Sequence, residues 1–224
     1  MGTFVAAQAQ SSSIQSSFDF RNGAQGWQAG FADYPPAYNP NDFYQLKAEM
    51  RSLPPELGVS GTGFYIQGDN HSDDLFMFLK RRLGPADGVI AGQKYQLRFS
   101  ITFASNTQSM CVGVGGAPGE SVFLKAGGSP IEPLPVGDAF GLKMNVDKGN
   151  QSQGGPAASS FGDVANGLPC NPSSRPYVSI QRDNLHTFDV TANANGELWL
   201  LVGTDSGFEA LTALYYQRID VQLM

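Results

Sequence analysis

The 224-residue sequence predicts an all-β fold: a two-sheet antiparallel β-sandwich with long loops and at most one or two short helices. Three observations carry that expectation. From Tyr95 to Phe103 the chain alternates without error. Tyr95, Leu97, Phe99, Ile101 and Phe103 fall on one face, and Gln96, Arg98, Ser100 and Thr102 on the other, as in a half-buried strand. Other short apolar runs are separated by turn residues drawn from 27 Gly and 14 Pro. A helical period is nearly absent.

The elements follow in order. Residues 1–17 read as a flexible leader, with a single domain over 18–224. Ala7-Gln8-Ala9 has the A-x-A form of a signal-peptidase site behind the short apolar Phe4–Ala7. A basic segment is missing, so the stretch reads either as the remnant of an export signal or as a tail. Phe18-Asp19-Phe20 then begins a strand that turns at Asn22-Gly23. Trp27, Phe31, Tyr34, Tyr38, Phe43 and Tyr44 stand among Pro35, Pro36 and Pro40, which oppose both helix and central strand. Leu46–Leu57 is the best helix candidate, stopped by Pro54-Pro55.

Gly63–Gln67 is a short strand. In Leu75–Lys80 both faces are apolar, so that strand is buried on both sides or covered by a loop. Val122 and Leu124, then Leu142, Met144 and Val146, continue the alternation. Residues 148–169 read as a long loop with little to bury. Asn195-Gly196 marks a hairpin between 185–191 and 197–203. The last strand places Tyr215, Gln217, Ile219, Val221 and Leu223 on one face, and Tyr216, Arg218, Asp220 and Gln222 on the other.

The segment Gly92-Gln93-Lys94-Tyr95-Gln96-Leu97-Arg98-Phe99-Ser100-Ile101 resembles the G-x-x-Y-x-L-x-F strand of galactose-binding-like jelly rolls, found in many carbohydrate-binding modules. Phe18-Asp19-Phe20 with Gly26-Trp27, and Tyr215 to Val221, are similar to that fold's first and last strands. The resemblance implies a jelly-roll sandwich. It also implies a structural calcium shared by an acidic residue of the first strand and an Asp of the last, here Asp19 and Asp220.

Charge and motif content narrow the function. With 14 Lys+Arg against 20 Asp+Glu, the chain lacks the concentrated basic face that nucleic acid requires. The knot Lys80-Arg81-Arg82 reads as a solvated turn. No apolar run approaches the length of a membrane span. Cys111 and Cys170 suffice for one disulfide, closing a loop of about 60 residues worth roughly 4 kcal/mol in the chain-entropy model. The alternative is two buried thiols. An oxidised pair would place the chain in an extracellular or periplasmic setting. The templates for zinc proteases, nucleophile-elbow hydrolases and P-loops are missing, and no organic cofactor is expected.

Asp69, Asp73 and Asp74, with Asn70 and Ser72, offer hard oxygen ligands suited to calcium, or else form a turn whose side chains bond the backbone. Trp27, Tyr34 and Tyr38 would stack on a ligand while Asn150 and Gln151 bond its hydroxyls. These features give the first reading: a non-catalytic exported protein that binds carbohydrate or another cell-envelope polymer. The second is a polysaccharide hydrolase or lyase with Glu120, Asp147 and His71 as acid–base groups. The third is a structural or adhesive surface protein that presents its loops to a protein partner.

Overall fold

The computed structural model describes residues 13–35, 42–137, 141–184 and 188–224. Its strands in chain order are β1 (Ile14–Asp19), β2 (Gln28–Ala32), β3 (Lys47–Ser52), β4 (Thr62–Asp69), β5 (Leu75–Leu83), β6 (Lys94–Ser105) and β7 (Val122–Ser129). There follow β8 (Pro135–Gly137), β9 (Leu142–Met144), β10 (Ser159–Asp163), β11 (Val178–Asp183), β12 (Phe188–Thr191), β13 (Leu198–Ser206) and β14 (Leu211–Leu223). They form two antiparallel sheets. The seven-stranded sheet has the order β11-β6-β14-β4-β3, with β1 also on β14 and β12 also on β6. The five-stranded sheet runs β10-β7-β13-β5-β2, and β8 pairs with β9 in a separate ribbon.

The alternation of β6 is kept in full. Leu97, Phe99, Ile101 and Phe103 are buried between the sheets against Leu75, Met77 and Leu79 of β5 and Leu214, Tyr216 and Ile219 of β14. Each such side chain contributes about 1.5–3 kcal/mol by leaving water. The second apolar face of β5 is buried as well. Phe76 and Phe78 stack there with ring centroids 5.3 Å apart, under Ala32, Val146, Ala157, Ala158 and Leu201.

Several expectations are corrected. The leader expected up to residue 17 overlaps β1, whose register runs from Ile14 opposite Leu223 to Asp19 opposite Arg218. The helix expected over 46–57 is β3 followed by a 3₁₀ turn at Pro55–Leu57. Pairing with β4 overrides a weak local preference. Further 3₁₀ turns stand at Phe20–Asn22 and Pro85–Asp87, and no α-helix occurs among the described residues. The 148–169 segment is no free loop, because it carries β10 and buries Ala157, Ala158 and Val164.

Asn195-Gly196 does not close a hairpin. β12 pairs with β6 in one sheet while β13 pairs with β5 and β7 in the other, so the turn is an arch between layers. Asn193 Oδ1 accepts both Asn195 N and Glu197 N to shape it. In β14 the register slips between Tyr216 and Arg218, a bulge at Gln217. The bulge flips the phase, so Tyr216 joins Ile219, Val221 and Leu223 in the core while Tyr215 faces outward.

Core packing sets the expected stability pattern. Phe103→Ala removes a fully buried ring and is expected to lower the unfolding free energy by about 3–5 kcal/mol in urea denaturation. Val112→Ala, at a side chain 96% exposed, is expected to stay within about 0.5 kcal/mol of wild type.

Candidate functional site

The outward phase of β14 builds an aromatic cluster on the far side of the seven-stranded sheet. Tyr65 of β4 lies 4.8 Å from Tyr215 of β14, ring centre to ring centre, and Tyr177, just before β11, meets Tyr215 edge-on at 5.1 Å. Ala104, Ala213 and Leu53 pack with them, and the Arg51 guanidinium sits 3.7 Å over the Tyr65 ring. Tyr65 Oη donates to Gln67 Oε1. Burial pushes the Tyr177 phenol well above its usual range, with Tyr65 and Tyr215 adding to it. The phenol therefore stays a hydrogen-bond donor.

Beside this cluster opens a cavity of about 480 Å³ lined by Tyr65, Tyr177, Phe208, Asn106, Gln108 and Arg175. The Cys111–Cys170 disulfide forms part of its wall. Gln108 fixes the opposite loop by donating to Ser174 O (2.9 Å) and accepting from Asn171 N (2.6 Å). Tyr65 and Phe208 are buried and Tyr177 is partly exposed, so the lining offers a ligand the Tyr177 ring beside amides and a guanidinium that can bond hydroxyls. Further along the same sheet face, a groove of about 760 Å³ is lined by Ser17, Arg98, Ser100, Asp183, Arg218 and Asp220 among others.

On the opposite layer the segment covering Phe76 and Phe78 carries Lys148 into a buried charge cluster. Asp205 of β13 and Lys125 of β7 are fully buried, and Asp33, just after β2, and Lys148 nearly so. Asp205 Oδ2 accepts Lys148 Nζ at 2.7 Å, Lys125 Nζ at 2.9 Å and Gln151 N at 2.8 Å. Lys125 Nζ also donates to Lys148 O (2.9 Å) and Gln153 O (2.8 Å). Burial pulls the Lys125 amine below its usual range, while Asp205 opposes that shift and three acceptors match the three N–H groups of the ammonium form. Lys148 Nζ also lies 2.8 Å from Asp33 Oδ2. Asp33, Asp73 and Gln151 all take left-handed backbone, at φ 61°, 65° and 47°, which non-glycine residues adopt only when their surroundings hold them there. Asp33, Asp74 and Asp205 each bring one oxygen within 4.8 Å of the others, close enough to share a cation. The cation on the spot is the Lys148 ammonium.

The residues expected to form sites are distributed differently. Trp27 is buried edge-on against Phe18 at 5.5 Å, and Tyr34 is buried against Tyr44 at 5.2 Å, so neither ring is open for stacking. Both lie where β2 and the turns beside it press onto the core. Tyr38 lies outside the described residues. Asn150 lines a cleft with Asp33, Asp74 and Asp147, while Gln151 ties Asp205 to the carbonyl of Asp73 (Nε2 to O, 3.0 Å).

Asp69, Asp73 and Asp74 do not come together as a ligand set. Asp69 Oδ2 accepts Gln45 Nε2 at 2.8 Å, Asp73 is exposed, and Asp74 alone joins a carboxylate group. Asn70 bonds Ser206 O, Phe208 O and Ser72 N, the backbone-bonding turn that was the alternative. Asp19 is engaged by Arg21, and Asp220 by Arg218 at 2.7 Å. The proposed acid–base groups take separate partners. Glu120 accepts Met110 N, Asp147 accepts Gly149 N, and His71 packs on Phe43.

Cys111 and Cys170 are bonded. Sequence reasoning missed Tyr65, Tyr177, Asp33, Asp205 and Lys125. A signal existed for Asp205, a carboxylate inside the apolar run Leu198–Ser206, because such a charge requires a buried partner.

Removing one partner of this cluster is expected to be costly. Lys125→Met leaves Asp205 short of an ammonium in a site without water access, and the unfolding free energy in urea is expected to fall by about 3–5 kcal/mol.

No protein-family model and no curated protein matches the sequence. Solved structures of β-sandwich type are similar to it. A family 61 carbohydrate-binding module in complex with β-1,4-galactotriose aligns over 90% of this chain and 92% of its own, with 8% identity and a TM-score of 0.40. A family 27 module described for mannan recognition aligns over 96% and 99%, with 9% identity and a TM-score of 0.38. The K1 cleaved adhesin domain of Lys-gingipain from Porphyromonas gingivalis W83 aligns over 92% and 96%, with 11% identity and a TM-score of 0.37. At these identities no residue role passes from one protein to another.

Proposed function

We propose that the chain is a non-catalytic, exported binding protein for carbohydrate or a cell-envelope polymer, and that the ligand seats in the Tyr65–Tyr177 cavity. The observation that carries this reading is the cavity's lining. The partly exposed Tyr177 ring, backed by the buried Tyr65 and Phe208, is set against Asn106, Gln108 and Arg175. Tyr65 comes from β4, Tyr177 from the residue before β11 and Phe208 from the turn between β13 and β14, not from the 27–44 stretch where the sequence pattern suggested them. Tyr177 presents its ring and a protonated hydroxyl, and Arg175 and Asn106 reach the hydroxyls of a sugar from the rim. The disulfide supports export, since such bonds persist in oxidising compartments. Glu120, Asp147 and His71, the groups of the hydrolase reading, are each engaged with a different partner.

Titration calorimetry against a panel of soluble polysaccharides tests the proposal. Tyr177→Ala and Arg175→Ala are each expected to weaken the best ligand about tenfold or more, roughly 1.4 kcal/mol. Reduction of the disulfide is expected to weaken binding as well, by releasing the cavity wall. Retention of no polysaccharide, or full affinity in both variants, would refute it.

A further inference from the structure

Three buried oxygens of the charge cluster accept no hydrogen bond, Oδ2 of Asp33 and Oδ1 of Asp74 and of Asp205; the first has the Lys148 ammonium 2.8 Å away, which leaves the other two. Yet the two carboxyl groups face each other, with an oxygen of each within 4.8 Å of the other. A carboxylate only accepts, so that contact needs something positive in it. The ammonium groups are already committed. Lys125 spends its three N–H groups on Asp205 Oδ2, Lys148 O and Gln153 O. Lys148 is held by Asp205 Oδ2, Gly149 O and Asp33 Oδ2. Lys143, on the rim, faces Asp33 at 3.6 Å and is half exposed. Asp147 faces the same cleft and is exposed, with its Oδ1 accepting Gly149 N.

Charge counting identifies what is missing. Three carboxylates, Asp33, Asp74 and Asp205, stand against the two buried ammoniums Lys125 and Lys148, leaving one negative charge. A divalent metal would overshoot to a net positive charge in a site where uncompensated charge is costly. One proton cancels it.

We infer that Asp74 and Asp205 hold a single proton between them, a buried acid–carboxylate pair that fastens the turn before β5 onto β13. Asp74 is the acid. Burial, and then the charge of Asp205, push its carboxyl up to about 8. Burial alone would raise Asp205 too, but Lys148 and Lys125 outweigh it and hold that carboxyl below its usual range. The same turn is tied to the covering segment by Gln151, which bonds both Asp205 and Asp73. The proton therefore latches the turn and the cover to one strand.

The sign of the pH dependence follows. An unfolded Asp releases its proton near 3.8, while folded Asp74 keeps it to about 8. Between those values the unfolded chain binds fewer protons than the folded one, so this group's contribution to stability is full below 3.8, declines as pH rises to about 8, and is constant above. Asp205 acts oppositely, and only in acid, where its stabilising contribution is lost as pH falls below the ordinary carboxylate range.

Asp74→Asn preserves the shape and offers Asp205 an N–H that cannot be lost. Its melting temperature relative to wild type is expected to climb by several degrees between pH 5 and 8 and to level above about pH 9. Carboxyl-carbon NMR of the wild-type protein, which needs no variant to fold, is expected to show Asp74 titrating near 8 and Asp205 flat from pH 5 to 9. An Asp74 carboxyl that titrates near 4 would overturn the inference. So would a melting temperature that rises by several degrees with millimolar calcium chloride in wild type but not in Asp74→Asn, which would assign the site to a metal.

Discussion

Phe76 and Phe78 impose the constraint that shapes the second layer of this molecule. β5 is apolar on both faces, and a sandwich supplies only one buried face per strand. The outer face must be sheltered by chain from elsewhere, and the segment from Val146 to Ala158 provides that shelter. Once it lies there, Lys148 and the carbonyls of Lys148 and Gln153 are brought over Lys125 and Asp205, and ions that would be solvated on an ordinary sheet become enclosed. The charge cluster is thus a product of hydrophobic cover. It needs internal neutrality because water has been displaced from above it.

Much of the architecture was legible from residue order. The unbroken alternation of β6, the two-sided apolarity of β5 and the pairing of Cys111 with Cys170 were each visible in the chain and are each present in the fold. What escaped was phase and partnership. One extra residue at Gln217 reverses every later side chain of β14, and nothing in the composition of Tyr215–Leu223 marks it. Asn195-Gly196 carries the local chemistry of a tight turn, but whether the flanking strands pair with each other or with strands a hundred residues away is a tertiary choice. The same limit governs the sites. The cavity of Tyr65, Tyr177 and Phe208 is assembled from separate strands and loops, so no local spacing announces it. Trp27 and Tyr34 looked available because prolines surround them, yet rings of that size are drawn into whatever core lies nearest.

The two outer faces of the sandwich have been put to different uses. One is closed by an apolar cover and stores its polar groups in an enclosed, self-neutralising cluster. The other is left open, with aromatic rings at one end, arginine and carboxylate side chains at the other, and a disulfide-tied loop as a wall. Strands carry Tyr65 and Tyr215, and Tyr177 packs edge-on against Tyr215, while most of the cavity's lining is supplied by the connections around Gln108, Cys170 and Phe208.

The bulge at Gln217 lets β14 serve two neighbours along one edge, β4 ahead of it and β1 beyond it. It acts as a parity marker for the strand. Ironing the bulge out with the residue kept would, with Tyr216 held in the core, turn Arg218, Asp220 and Gln222 inward and Ile219, Val221 and Leu223 out. Deleting Gln217 along with the bulge instead leaves Tyr216 opposite Phe103, Arg218 opposite Thr102 and Ile219 opposite Ile101. Extra residue and bulge therefore come and go together, and related chains should carry both or neither even where the side chains have drifted.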